Sequence, residues 1–273
     1  MTKINKLAAG GLAVIMLFSF CGCKGKQENI QDKSAITENC MVIGVDESEE
    51  RIDSINVVAV NSNEKKLSVL SIPEDIQFVK EKYSGKITDS NIEDIMNELS
   101  SETKINIQKY IVLDFDAVLS VLSEMGNVRF EIPDIYGDGQ GMVYDDNSQN
   151  LHISLTPGIH ELTPDEMLNV IRYIKGNISE DGTYQTYSDG EMGRIAMQQS
   201  LIKALLEQKK DKYNSSVMLN ILKELPDSLK TNLDAGDIIN GYNLFKNLDK
   251  DDVYFNIMDG EFVFENNVKY FKH

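Results

Sequence analysis

Cys40-Met-Val-Ile-Gly-Val45 is a continuous apolar run that ends at Asp46. An uninterrupted run of this kind is typical of a strand that is buried on both faces. Two further β-rich runs follow at residues 55–60 and 67–72, joined by the polar turn at 61–66. Together these segments predict three strands of a buried sheet.

The rest of the chain alternates between helical patterns and short strand patterns. Helix starts are indicated where a capping residue precedes an acid by three positions, at Ser90 with Glu93, Thr163 with Glu166 and Ser188 with Glu191. Helices are expected from Ser90, at 115–125 before Gly126, from Pro164 to Gly176, from Ser188 to about Lys209, at 215–225 and at 235–248. Further strands are expected at 109–113, 128–132, 253–257 and 261–264. This alternation predicts an α/β sheet that is covered on both faces.

The first two dozen residues have the pattern of a secretory signal. Lysines precede an apolar run at 7–20, which is shorter than the ~20 residues needed to span a bilayer. Gly22 is the small residue required before an acylated cysteine, so removal of residues 1–22 would leave Cys23 as the lipidation site. An uncleaved N-terminal anchor is the alternative.

The mature chain is expected to be one tethered domain. The polar stretch at 23–38 predicts a flexible tether, and residues 39–273 form the domain. Acyl chains on Cys23 would hold it on the outer face of the cytoplasmic membrane. Cys40 is then the sole remaining thiol, so no intramolecular disulfide can form.

Composition and motifs exclude several functions. The chain has 44 acidic and 27 basic residues, a formal net charge of −17. Nucleic-acid binding needs a basic patch that displaces counterions, so the charge argues against it. The three histidines lack metal-ligand spacing, and there is no P-loop or G-x-S-x-G elbow. Calcium binding by Asp145 and Asp146 is a minor alternative, because the spacing of an EF-hand loop is missing.

Acids and arginines recur at the ends of the predicted elements. Asp46 lies just past a strand, Arg51 and Asp53 follow a few residues on, and Arg172 and Arg194 lie near helix ends. Two carboxylates and several arginines that met above the sheet would suit a Mg²⁺-bridged phosphate or pyrophosphate. The alternative is that they are solvated surface charges.

These charged residues belong to a series of segments that resembles a known family. The segments are Gly44–Glu47, Arg51–Ser54, Leu70–Asp75, Asn150–Gly158, Asp165–Arg172, Gly193–Gln199 and Thr231–Leu233. Each segment is short, but together they follow the order of the LytR–CpsA–Psr domain. The resemblance covers roughly residues 41–260, nearly all of the mature chain.

The resemblance implies an α/β/α sandwich with a central mixed β-sheet and a cavity for a polyprenyl chain. It also implies transfer of a glycopolymer from a polyprenyl-pyrophosphate carrier to peptidoglycan, with Mg²⁺ as cofactor. Carried over to this chain, Asp46 and Asp53 would hold the metal. Arg51, Arg172 and Arg194 would grip phosphate beside Asp53 in the catalytic site, and Gln198 would join them in binding substrate.

Several family arginines are replaced in this chain. Glu74, Ile174 and Met197 stand where the family usually has arginine, and Ser48 where it often does. Each lost guanidinium removes a bidentate grip on phosphate, and Glu74 adds a like charge. Lys80, Lys82 and Lys175 are near enough in sequence to compensate, although lysine is a point charge and not a fork.

Three hypotheses follow from this mixture of retained and lost residues. The first is a glycopolymer phosphotransferase of the family type in a modified or weakened form. The second is a catalytically silent relative that binds lipid carrier, wall polymer or a partner enzyme. The third is a solute-binding lipoprotein, which usually has two similar lobes joined by a hinge that the sequence does not show.

Overall fold

The computed structural model describes residues 37–46, 52–61, 65–83, 88–147, 151–178, 184–209, 230–234, 237, 248, 250–266 and 268–273. The predicted signal and lipidation site, residues 24–36 of the predicted tether, Ser48, Arg51 and the predicted helix at 215–225 lie outside this range. The predicted end of the tether at 38 is wrong by two residues, because Thr37 and Glu38 already pair with the neighbouring strand. Only Asp237 and Leu248 of the predicted helix at 235–248 fall within it.

The described residues form fourteen strands and five α-helices. The strands are β1 (Thr37–Val45), β2 (Ile52–Asn61), β3 (Lys66–Ile72), β4 (Lys109–Leu113), β5 (Val128–Ile132), β6 (Met142–Asp146), β7 (Leu151–Leu155), β8 (Gly158–Leu162), β9 (Lys175–Ile178), β10 (Tyr184–Thr186), β11 (Lys230–Thr231), β12 (Val253–Ile257), β13 (Glu261–Glu265) and β14 (Val268–Lys272). The helices are α1 (Gln77–Lys82), α2 (Asp89–Thr103), α3 (Phe115–Met125), α4 (Pro164–Arg172) and α5 (Glu191–Lys209).

Six strands form a central mixed sheet in the order β11-β4-β1-β2-β3-β12. β1 runs parallel to β4 and antiparallel to β2, while β3 is antiparallel to β2 and parallel to β12. Four strands, β1, β3, β4 and β12, therefore share one direction. Their carboxyl ends and the amino end of β2 lie together along one side of the sheet, which we call the carboxyl edge.

Each face of this sheet is buried under helices. Along β1, Cys40 and Val42 pack into one core, whereas Met41 and Ile43 pack into the other. The first core contains the apolar faces of α3, α4 and α5, and the second contains those of α1 and α2. This arrangement confirms the α/β/α sandwich with a central mixed β-sheet.

Two helices begin where the sequence predicts. Asp114 caps α3 by accepting a hydrogen bond from Ala117 N at 2.8 Å. Thr163 and Glu166 form the predicted capping box of α4. α3 also ends as predicted, because Gly126 follows it with φ +67°.

Three predicted helix limits are wrong. Thr88, not Ser90, caps α2, because its hydroxyl accepts from Asn91 N. α4 ends at Arg172 rather than Gly176, because Tyr173 is extended and the chain continues into β9. α5 begins at Glu191 after a turn in which Gly190 N donates to Tyr187 O at 2.8 Å, so Ser188 lies before the helix.

The strands that the sequence analysis missed are mostly paired outside the central sheet. Two-stranded antiparallel pairs are formed by β5 with β8, β6 with β7, β9 with β10 and β13 with β14. The missed strand β11 forms an edge of the central sheet, next to β4. Beyond β11, the Asn232 side chain continues the hydrogen bonding to β4 by accepting from Tyr110 N at 2.8 Å. No helix among the described residues is long and apolar enough to cross a membrane.

Candidate functional site

The carboxyl edge brings together charged residues that are far apart in sequence. Asp46 directly follows β1, Asp53 is the second residue of β2, and Glu74 lies two residues beyond β3. Phe115 opens α3 just after β4. Ligands of α/β proteins bind preferentially at this edge of the sheet, so the topology supports the predicted convergence.

Asp53 is placed by an irregularity in the pairing of β1 with β2. Gly44 faces Ser54 while Val45 faces Ile52, so Asp53 is the extra residue of a β-bulge. Bulges are frequent beside functional sites, where they redirect a side chain. Asp53 is fully buried, and its negative charge acts on both Glu74 and Arg194.

Arg194 is the buried cation of the site. It lies in the first turn of α5, is 2% exposed and donates a hydrogen bond to the Glu191 carboxylate. Its Nη2 is also 3.7 Å from Glu74 Oε2. Burial alone would lower the pKa of Arg194, but the charges of Glu191, Glu74 and Asp53 outweigh it, and the net shift is upward.

Glu74 is a carboxyl group in an unfavourable place for a negative charge. Burial raises its pKa to about 8, with Glu191, Asp53 and Asp75 adding to the rise and Arg194 opposing it. Glu74 therefore carries a proton for most of the time at neutral pH. Arg194 also pairs with Glu191, so its positive charge only partly opposes the rise in the pKa of Glu74.

Arg172 lies beside the first residue of α3 at the same edge. It is the last residue of α4, and its guanidinium carbon lies 4.6 Å from the centre of the Phe115 ring. Stacking of this kind orients a guanidinium. Gln198, predicted to bind substrate, donates from Nε2 to Ile171 O at 3.1 Å and so ties α5 to the end of α4.

The lysines proposed to compensate for lost arginines have other partners. Lys80 Nζ is 2.7 Å from Asp75 Oδ1, and Lys82 pairs with Glu98. Lys175 lies over the Tyr184 ring at 3.7 Å. Of the three, only Lys80 is connected to the site, since Asp75 acts electrostatically on Glu74.

Two further positions where the family usually has arginine are occupied by apolar residues that pack among apolar neighbours. Met197 is partly buried on α5 and packs against the first core, and Ile174 is partly buried between α4 and β9. Neither supplies a donor to an anion at this edge.

Two residues of the site escaped the sequence analysis. Glu191 was interpreted only as part of a capping box, although its spacing of three from Arg194 on a helix could have indicated an ion pair. Tyr187 is 6% exposed and lies close enough to Arg194 to feel its charge. Burial raises the pKa of Tyr187, and the positive charge of Arg194 opposes part of this rise. No sequence pattern marks Tyr187.

The described part of the chain holds no group of three metal-binding side chains. Asp145, considered for calcium, hydrogen-bonds His152 Nδ1 at 2.9 Å and Asn177 through its backbone N–H at 2.9 Å. At the carboxyl edge, Asp46 and Asp53 are two carboxylates, which is fewer than a cage built of protein ligands alone requires.

A three-layer α/β/α domain, with a buried arginine among carboxylates at the carboxyl edge of a mixed sheet, matches the architecture implied by the sequence segments. The chain belongs to the LytR_cpsA_psr family, whose model matches residues 22–273. The assignment made from the seven ordered segments is therefore confirmed.

Comparison with known proteins gives the same family. The chain is 24% identical over 195 residues to the polyisoprenyl-teichoic acid–peptidoglycan teichoic acid transferase TagV of Bacillus subtilis, covering 67% of this chain and 45% of that protein. It is 25% identical over 191 residues to the regulatory protein MsrR of Staphylococcus aureus, covering 67% of this chain and 51% of that protein. The chain thus spans about half the length of the curated relatives it matches.

Solved structures share the fold. A protein from Streptococcus agalactiae, gbs0355, superposes with a TM-score of 0.67 at 15% identity, covering 86% of this chain and 81% of that one. B. subtilis TagV gives 0.61 at 17% identity, with coverages of 87% and 91%. TagT bound to LI-WTA gives 0.59 at 17% identity, with coverages of 98% and 92%.

Proposed function

We propose that this protein transfers a glycopolymer from a polyprenyl-pyrophosphate carrier to peptidoglycan, in a modified and weakened form of the family reaction. The observation that carries the proposal is the placement of Asp53 beside the buried Arg194 at the carboxyl edge. Membership of a family that includes a teichoic acid transferase supports the same substrate class.

Two arginines among the described residues would bind the pyrophosphate. Arg194 would bind phosphate oxygens by charge-assisted hydrogen bonds, since two of its guanidinium nitrogens have no hydrogen-bond partner among the described residues. Arg172, oriented by Phe115, would provide a second guanidinium from α4. Arg51 is proposed for the same role from the sequence alone.

Mg²⁺ is the cofactor that fits the acids of this edge. It is usually bound by one or two carboxylates, with substrate phosphates and water completing its coordination. Asp53, which is fully buried, and Asp46, which is partly buried at the end of β1, supply that number. The bound ion would neutralise charge on the phosphoryl oxygens.

We further propose that the protein acts on the outer face of the cytoplasmic membrane, tethered by lipid on Cys23. The carrier is a membrane lipid and peptidoglycan lies outside the membrane, so carrier and acceptor meet there. The apolar run at 7–20 and the Gly22-Cys23 pair support this location.

A catalytically silent relative is the second candidate, and one contact favours it. Glu74 lies 3.7 Å from Arg194, where it competes with phosphate for the same guanidinium. Loss of one transition-state donor can lower a rate by about 10²–10³. Such a protein would bind carrier lipid, wall polymer or a partner enzyme without turnover.

The solute-binding alternative has less support. Proteins of that class have two similar lobes around a hinge, whereas the described residues are arranged around one six-stranded sheet. Family membership also favours the envelope-polymer function.

Calorimetric titration of the full-length protein in lipid nanodiscs tests the first two candidates. The ligand is a short polyprenyl pyrophosphate, titrated with and without Mg²⁺. Mg²⁺-dependent binding by the natural protein, lost in Asp53→Asn, supports the transferase and leads to a transfer assay with peptidoglycan. Binding that appears only in Glu74→Arg assigns the protein to the silent class.

A further inference from the structure

The strands β13 and β14 form a hairpin at the carboxyl edge of the central sheet. β12 ends at this edge, where Met258 N donates to Ser71 O at 2.9 Å just before β13 begins. The base of the hairpin is held by Phe271, which is fully buried and whose backbone N–H donates to Asp75 O at 2.7 Å. The hairpin is therefore joined to the segment that carries Glu74.

Apolar side chains become more exposed from the base of the hairpin to its tip. At the base, the rings of Phe262 and Phe271 stack edge-on with centroids 5.2 Å apart. At the tip, Phe264 is 75% exposed and Val268 is 37% exposed, and no other large apolar residue in the described part of the chain is as exposed as Phe264. Single exposed apolar residues are common, so the partner of this tip must be identified from further observations.

The hairpin is electrically balanced, unlike the chain as a whole. Residues 261–273 contain two glutamates, two lysines and a neutral histidine, whereas the chain carries a formal net charge of −17. An acidic surface is repelled by anionic lipid headgroups, and a balanced one is not. Lys269 lies opposite Phe264 in the strand register, and its Nζ lies 3.7 Å from the centre of the Phe262 ring. Its aliphatic stem can thus follow apolar surface while the ammonium group reaches headgroups.

The proposed lipid tether joins the domain at the opposite edge of the sheet. β1 begins at Thr37 and runs toward the carboxyl edge, so its first residue lies farthest from the site. Residues 24–37 can span at most ~46–50 Å, and the nine residues of β1 measure about 30 Å. The chain from Cys23 is therefore long enough to let the carboxyl edge face the membrane, but it does not hold that edge there.

We infer that the tip of this hairpin inserts into the surface of the phospholipid bilayer, with Phe264 and Val268 among the acyl chains and Lys269 at the headgroups. Exposed aromatic side chains are typical of elements that lie at this boundary. Insertion would keep the carboxyl edge at the membrane, where the pyrophosphate of a carrier lipid lies. The inference rests on the proposed tethering, which brings the bilayer within reach of the domain.

A tryptophan placed at the tip tests the inference, because the natural chain contains none. Phe264→Trp is introduced into the full-length protein, which is reconstituted in nanodiscs with ordinary or brominated acyl chains. Bromine quenches indole emission only at close range. We expect the brominated chains to quench this tryptophan and its emission to lie at shorter wavelength than that of an indole in water. Because the contact is apolar, the quenching should persist at about 1 M salt, where charges are screened within about 3 Å.

Two further variants serve as controls. Ile159 is 60% exposed and lies on β8, which pairs with β5 outside the central sheet. Ile159→Trp should therefore emit as an indole in water in both kinds of disc. Val268→Ser, added to Phe264→Trp, removes apolar area from the tip at an exposed position and should reduce the quenching.

The other outcomes would overturn the inference. Emission from Phe264→Trp at short wavelength without quenching would mean that the tip packs against protein, such as a second copy of the chain. Equal quenching of Phe264→Trp and Ile159→Trp would show that the hairpin is not a specific contact. An unquenched tip in a protein that stays on the discs rejects this inference alone, whereas a protein that leaves the discs rejects the proposed tethering as well. Pyrophosphate binding is measured separately, so the proposed transferase can fail while the membrane contact is retained.

Discussion

Glu74 Oε2 lies 3.7 Å from Arg194 Nη2, so a carboxyl group faces the guanidinium that we propose as a phosphate ligand. The guanidinium is also hydrogen-bonded to Glu191 and lies within the field of Asp53. A phosphate bound by the other two guanidinium nitrogens, Nε and Nη1, would still lie close to these acidic groups. This contact determines how the site should respond to mutation and to pH.

Replacing Glu74 with arginine should strengthen pyrophosphate binding. The change removes the competing carboxyl and adds a charge-assisted donor, and the added donor contributes about 1.5–3 kcal/mol. We expect an affinity gain of about 10- to 100-fold in calorimetric titrations. Glu93→Arg makes the same charge change on the exposed face of α2 and serves as the control. An equal gain in both variants would show only a general effect of net charge.

Stability should depend on pH through Glu74. Its pKa is raised from 4.5 to about 8, chiefly by burial, so between these values the folded state holds a proton that the unfolded state has lost. The free energy of unfolding must then fall as pH rises, by at most ~1.4 kcal/mol per pH unit for one group. Glu74→Gln cannot titrate and should gain stability over the natural protein as pH rises from about 5 to 8. Urea unfolding across this range measures the difference, and a constant offset would contradict the prediction.

Removal of Arg194 should destabilise the fold. Arg194→Met leaves Glu74 and Glu191 facing each other without their shared cation, and breaking a buried pair in this way costs about 3–5 kcal/mol. A triple variant that also carries Glu74→Gln and Glu191→Gln should recover most of this loss in urea unfolding. Arg129→Met, at an exposed position of β5, is the control. A triple variant no more stable than the single one would show that Arg194 acts through packing rather than charge.

Short-range patterns predicted much of the fold. The helix at 115–125 and the capping box of Thr163 with Glu166 depend on residues within one or two turns, and both were predicted correctly. The apolar run of β1 predicted a strand buried on both faces for the same reason. The pair Ser90 and Glu93 predicted the wrong start for α2, because Thr88, two residues earlier, is the residue that caps the helix.

Contacts between distant segments could not be predicted in the same way. The contact of Glu74 with Arg194 spans the end of β3 and the start of α5, and the sequence showed only two charges. The hydrogen bond from Gln198 to Ile171 O and the approach of Gly193 to Tyr187 depend on how helices pack. The sequence segments thus indicated which residues belong to the site, but not which of them neutralise one another.

Asp53 should govern the response to Mg²⁺. Asp53→Asn keeps the size of this buried side chain but removes the charge that we propose as a metal ligand. The increase in polyprenyl-pyrophosphate affinity on adding Mg²⁺ should therefore disappear, while circular dichroism shows a folded protein. Asp94→Asn, exposed on α2, should retain the increase. A full Mg²⁺ effect in Asp53→Asn would remove this residue from the proposed metal site.

The two neighbouring cysteines at the N-terminus should differ in their effect on membrane attachment. Cys23 follows the small residue Gly22, whereas Cys21 follows Phe20, which lipoprotein signal cleavage does not accept. Cys23→Ala should therefore block acylation and processing, and Cys21→Ala, a change of the same size two residues away, should block neither. Metabolic labelling with a fatty acid and the mass of the protein from the membrane fraction distinguish the variants. Because acyl chains contribute ~0.8 kcal/mol per buried CH₂, the processed protein should stay in the membrane at high salt. If neither substitution changes the label or the mass, the N-terminal segment is an uncleaved anchor.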